Sequence, residues 1–112
     1  MAGVYRRGPA SFAVAIARTP DAWRRLWADL GRAPPTALDT TSQMAVAVFL
    51  GLRRTGGYGV EITSVGYEGT RLVVRYAERR PAAGSFVPQM LTTPYVVKVL
   101  ARTDGDVVFR EQ

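Results

Sequence analysis

The chain has 112 residues, 47 % of them hydrophobic, enough for one domain that buries roughly two-thirds of the surface its unfolded form exposes. It has no cysteine and no histidine, which excludes disulfides, thiolate nucleophiles, histidine-based triads and the usual zinc ligands. Its net charge of +6, from fourteen arginines and one lysine against nine carboxylates, attracts polyanions or acidic surfaces in a salt-dependent way, but the arginines cluster only as pairs (Arg6-Arg7, Arg24-Arg25, Arg53-Arg54, Arg79-Arg80).

The N-terminus "MAGVYRRGPASFAVAIARTP" imitates an export signal, with two arginines before an apolar segment. That segment, Phe12 to Ala17, is shorter than the ~7 to 15 residues of a signal core, and a helix start follows at once. Ser11 to Ala17 is therefore read as a strand, which leaves two compartments open, the cytoplasm or an exported form whose signal has been removed. "TPDAWRRLWADLG" carries the marks of a helix: Thr19 as N-cap, Pro20 at the first helical position, Asp21 in the first turn, Gly31 as terminator. Trp23, Leu26, Trp27 and Leu30 recur at i, i+3, i+4 and i+7, a single apolar stripe. Asp21 with Arg25, and Arg25 with Asp29, are spaced for i,i+4 ion pairs on the other side.

"RAPPTALDTTSQ" is a loop by its prolines and polar residues. Met44 to Gly51 is apolar on both phases, as an interior strand requires. "YGVEITSV" alternates, with Tyr58, Val60 and Ile62 on one face. A turn at "GYEG" leads to "TRLVVRYAE"; facing Val65 with Arg71 would set Glu61 opposite Arg75. Residues 79 to 94 form a long irregular stretch. Tyr95 to Ala101, the turn "TDGD" and "VVFRE" then read as a last hairpin. The elements predict an α+β domain spanning residues 1–112: a single antiparallel β-sheet or partly closed barrel of about six strands, packed on one amphipathic helix. No stretch approaches the ~20 apolar residues of a membrane span.

Gly56 and Gly57 lie between two strands, with no lysine after them and no helix opening. That context fails for a phosphate cradle and fits a hairpin loop, in which glycine supplies positive φ. The segments "AVAVFLGLRRTGGYGVEITSV" and "RLVVRYAERRPAAGSFVPQMLTTPYVVKV" resemble the C-terminal domain of the protease complex subunit PrcB family. Thr55, Gly56, Gly57 and Tyr58 match one motif of that family; Gln89, Thr92 or Thr93, Pro94 and Tyr95 match another. The sequence departs from the pattern at Thr40, where an aromatic residue is expected, and at Ala83, where a second proline is expected.

The resemblance implies a non-catalytic, protein-binding subunit that assembles or stabilises a bacterial subtilisin-like protease complex, with a serine protease as its partner. It implies no catalytic residue, metal or cofactor. The candidate partner-binding residues are Arg53, Arg54, Thr55, Gly56, Gly57, Gln89, Thr92 and Thr93, on the glycine turn and the 79–94 loop. Trp23, Trp27, Tyr58, Pro94 and Tyr95 are assigned to packing. The alternatives are a small-ligand or polyanion-binding domain and a hydrolase using carboxylates drawn from Asp39, Glu61, Glu68 and Glu78. Nucleic acid is disfavoured, because no basic stripe interleaved with aromatics is present. An open edge strand, 11–17 or 95–101, could also pair across a two-fold axis to form a homodimer.

Overall fold

The computed structural model describes residues 1–5 and 11–112 and arranges them as β1 (Ala2–Tyr5), β2 (Ala13–Ala17), α1 (Pro20–Ala28), β3 (Gln43–Phe49), β4 (Gly59–Glu68), β5 (Arg71–Arg79), β6 (Thr93–Ala101) and β7 (Val107–Glu111). The Arg6-Arg7 pair lies outside the described residues. Seven strands form two sheets, one ordered β1-β6-β3-β2 and the other β4-β5-β7. The α+β class holds, but the single sheet does not. β1 was not anticipated from the sequence.

Helix α1 forms where its caps require. The Thr19 side chain accepts a hydrogen bond from the Ala22 N–H at 3.0 Å, Pro20 opens the helix, and Gly31 adopts φ +73° beyond its end. The stripe of Trp23, Leu26, Trp27 and Leu30 packs on the alanines of β2 and β3, with Phe49, Tyr95 and Val97 completing the cluster. On the outer face Asp21 pairs with Arg24. The expected pairs of Arg25 with Asp21 and with Asp29 do not form; Asp21 is taken three residues on instead of four.

β3 is the central plank. It pairs antiparallel with β2 and with β6, and its residues alternate between two cores. Ala45, Ala47 and Phe49 face the helix. Met44, Val46 and Val48, joined by Val96 of β6, face the second sheet, where they meet Val60, Leu72, Val74 and Tyr76 in two clusters. The result is three layers, helix, sheet and sheet, with β3 buried on both sides.

The β4–β5 hairpin is present, in a register other than the one expected. Glu68 faces Arg71, Val65 faces Val74 and Glu61 faces Ala77. β4 continues through Gly66 to Glu68, so the loop is only Gly69 and Thr70, and a bulge between Ile62 and Ser64 shifts the rest. Arg75 consequently pairs with Glu68 at 3.0 Å rather than with Glu61, and Arg110 reaches the same carboxylate at 2.9 Å.

The last hairpin is also corrected. β7 does not fold back on β6; it lies parallel to β5, from Leu72 opposite Val107 to Tyr76 opposite Glu111. The intervening turn is held from elsewhere. Arg18 donates to the carbonyls of Thr103 (3.0 Å) and Gly105 (2.7 Å), and Arg102 donates to those of Arg18 (2.7 Å) and Thr40 (2.8 Å). With its carbonyls occupied by Arg18, the turn carries the chain across to the second sheet, where Val107 and Phe109 pack against Met44, Val46, Leu72 and Val74.

Candidate functional site

β3 and β4 belong to different sheets, so residues 50–58 are not a hairpin loop. They are a crossing from one sheet to the other, and the 80–92 loop makes the return crossing alongside them. The two are joined by backbone hydrogen bonds. Arg53 and Thr92 exchange a pair at 2.8 and 2.9 Å, and the Gly56 N–H donates to the Pro88 carbonyl at 2.8 Å. The Thr92 hydroxyl also donates to the Thr55 carbonyl at 3.2 Å.

The glycine pair is explained by this joint. Gly57 adopts φ +89°, and a Cβ on it would stand 2.7 Å from Val87 Cγ1 and 2.9 Å from Pro81 Cβ. Gly56 does not have positive φ. Its requirement is space, since a Cβ there would lie 2.8 Å from Pro88 Cδ. The expectation of two glycines turning an exposed tip is thus replaced by one turning glycine and two close approaches beneath a second loop.

Arg53 belongs to the interior of the joint. Its Nε donates to Glu78 at 2.9 Å, its Nη1 to the carbonyls of Leu50 and Leu52 at 3.3 and 3.1 Å, and its guanidinium lies 5.7 Å from the centre of the Tyr58 ring. Glu78 is largely buried and has Arg80 as a second, looser partner at 3.8 Å. Thr92 and Thr93 are buried too. Of the eight candidate contact residues, Arg54, Gly57 and Gln89 are the ones that reach open solvent, whereas Arg53, Thr55, Gly56, Thr92 and Thr93 build the support.

Of the residues assigned to packing, Trp23, Trp27, Pro94 and Tyr95 are buried, and Tyr58 is partly buried beside the Arg53 guanidinium. Trp23 and Trp27 meet edge to face at 5.7 Å, and Trp27 meets Tyr95 likewise at 6.1 Å. Pro94 is buried, and the Tyr95 hydroxyl accepts from Arg32 at 3.1 Å. Sequence reasoning missed three side chains of the same two loops. Phe86 is fully exposed at 104 %, and Leu52 and Leu91 are about half exposed. The run "SFVPQML" held the signal, four apolar residues in a stretch with no strand or helix period to bury them.

The four carboxylates considered for hydrolysis stand in different surroundings. Glu68 closes one end of the β4–β5 hairpin and Glu78 lies toward the other. Glu61 is exposed on β4. Asp39 accepts hydrogen bonds from the Thr41 hydroxyl, the Thr41 N–H and the Ser42 hydroxyl, which hold its carboxyl below the usual value. Among the described residues no cluster of three acidic side chains could hold a metal ion, and no helix is long and apolar enough to cross a membrane. Arg71 and Arg75 lie on β5 and Lys98 on β6, in different sheets.

Residues 44–101 match the PrcB C-terminal family over just over half of the chain. The chain belongs to the PrcB C-terminal family. The matched segment begins with β3 and ends with β6, so it contains both loops of the joint and leaves out α1 and β7. No curated protein and no solved structure matches the chain.

Proposed function

We propose that this PrcB C-terminal domain binds a protein partner without catalysing a reaction itself, as a subunit that assembles or stabilises a subtilisin-like serine protease. The contact surface is the outer side of the joint, with Phe86, Leu52, Leu91, Arg54 and Gln89 as its contact residues. One observation carries the proposal: an aromatic ring stands wholly in water on a loop whose backbone is pinned to its neighbour. A large apolar side chain held out by a rigid support is the form that interface anchors take, and family membership supports a protease-related role.

The test is affinity capture from the native host with the full chain as bait, alongside Phe86→Ser and Arg54→Ser variants. Among the described residues neither side chain has a hydrogen bond or ion pair to lose, so both variants keep the fold. The expected result is capture of a serine protease, identified by mass spectrometry and reduced about tenfold or more by Phe86→Ser. Capture by both variants equal to that by the unsubstituted chain, or capture of no protease, overturns the proposal.

A further inference from the structure

The molecule has a second surface, along the β2 edge of the four-stranded sheet, that the proposed function does not use. β6 lies between β1 and β3, so the 95–101 edge considered from the sequence is closed, and β2 is the edge that remains on that side. Edge strands are usually protected by charge, bulges, proline or shortness. β4 carries a bulge and Gly66, β7 carries Arg110 and Glu111, and β1 has four residues with a glycine among them. β2 reads Ala-Val-Ala-Ile-Ala and has none of these devices.

Its side chains are also incompletely covered. Val14 and Ile16 stand opposite Val48 and Val46 of β3 and point the same way, toward the second sheet. That sheet leaves them 42 % and 37 % exposed, and Phe12, stacked on Tyr76 at a ring separation of 5.7 Å, is 50 % exposed. On the opposite face a groove of about 290 Å³ runs between β2 and α1, lined by Ala15, Ala22, Arg25, Leu26 and Asp29. Arg25 and Asp29 are exposed, and among the described residues neither has an ion pair.

We infer that β2 is a homodimer interface, pairing antiparallel with β2 of a second copy about a two-fold axis at Ala15. The pattern is self-complementary under that operation: Ala13 faces Ala17, Val14 faces Ile16 and Ala15 faces itself. The valine and isoleucine rows cover one another, and the two four-stranded sheets become one of eight. The helices, one beside each β2, run antiparallel across the axis. Each presents a cation and an anion one turn apart, so Arg25 of each copy faces Asp29 of the other. A heterologous peptide strand would satisfy the edge but would have no reason to supply this reciprocal charge pattern, which selects the second copy as the occupant.

Sedimentation velocity on the full chain over a range of concentrations tests the assignment. A reversible dimer is expected. Ile16→Lys should raise its dissociation constant about tenfold or more, and so should Asp29→Arg, which sets two arginines against each other while leaving the helix C-terminus electrostatically favoured. Arg25→Asp combined with Asp29→Arg restores the complementary pattern and should restore the dimer, with far-UV circular dichroism verifying that each variant is folded. A monomer at every concentration overturns the inference, as does a dimer indifferent to Ile16→Lys or a double variant no tighter than Asp29→Arg alone.

Discussion

The helix layer and the loop joint are held together by opposite means. Beneath α1, stability comes from area: two tryptophans, two leucines and a floor of alanines, assembled from a local period that any window of the sequence displays. At the joint it comes from fit. Two loops that are distant in sequence meet through backbone hydrogen bonds, one half-buried ion pair and a pair of glycines with no room for a Cβ. The first kind of structure tolerates change in proportion to the volume removed. The second fails at particular atoms.

Substitutions in each region should expose that contrast. Trp27→Ala, in the helix layer, removes the largest fully buried side chain and should cost about 3–5 kcal/mol, measured by urea denaturation, with every probe of the fold lost together. Gly57→Val, in the joint, should cost about 2–3 kcal/mol from the forced positive φ and the collision with Val87 and Pro81. Hydrogen exchange sharpens the difference: in Gly57→Val the amides of Arg53, Gly56 and Thr92 should lose protection while those of α1 keep it. Equal loss in both places would show that the joint is no separate unit of stability.

Arg53→Ser should cost about 1–2 kcal/mol because it leaves the largely buried Glu78 with only the looser Arg80 contact. Arg54→Ser, one residue along and without a partner, should shift the melting temperature hardly at all. A joint whose stability follows both arginines equally would contradict the division between support and contact surface. The smallest effect belongs to Asp39. Its carboxyl is held below the ordinary value, so the folded state favours the ionised form. The stabilisation is present above the pKa of the unfolded chain and is lost as pH falls through the lower folded one. Asp39→Asn should flatten the acid limb of the stability curve and leave neutral pH nearly unchanged.

Much of the fold was readable because it is local. The helix, its caps and the β4–β5 hairpin are written in short windows, and the unbroken apolar run from Met44 announces a strand covered on both sides. What stayed hidden depends on distant groups. Whether β3 and β4 share a sheet is decided by Pro81, Val87 and Pro88 closing over the glycines, about thirty residues further on. Whether β7 returns to β6 is decided by Arg18, more than eighty residues earlier. The candidate site was partly legible for the same reason: family motifs picked out the two loops, but which of their residues face inward is a tertiary fact. Arg53 looked like a surface charge beside Arg54 until its partner at Glu78 was known.

The alternation along β3 has a consequence for how this protein can change. Ala45 and Ala47 lie under the helix beside Phe49, and Met44, Val46 and Val48 lie between the sheets. A slip of one residue would exchange the two sets, pressing valines against a helix seated on alanines and leaving a gap where the sheets now meet. Both layers would fail at once. An insertion or deletion within β3 would therefore disrupt both layers, whereas exposed positions of the joint such as Arg54, Phe86 and Gln89 can vary while the plank behind them stays in phase.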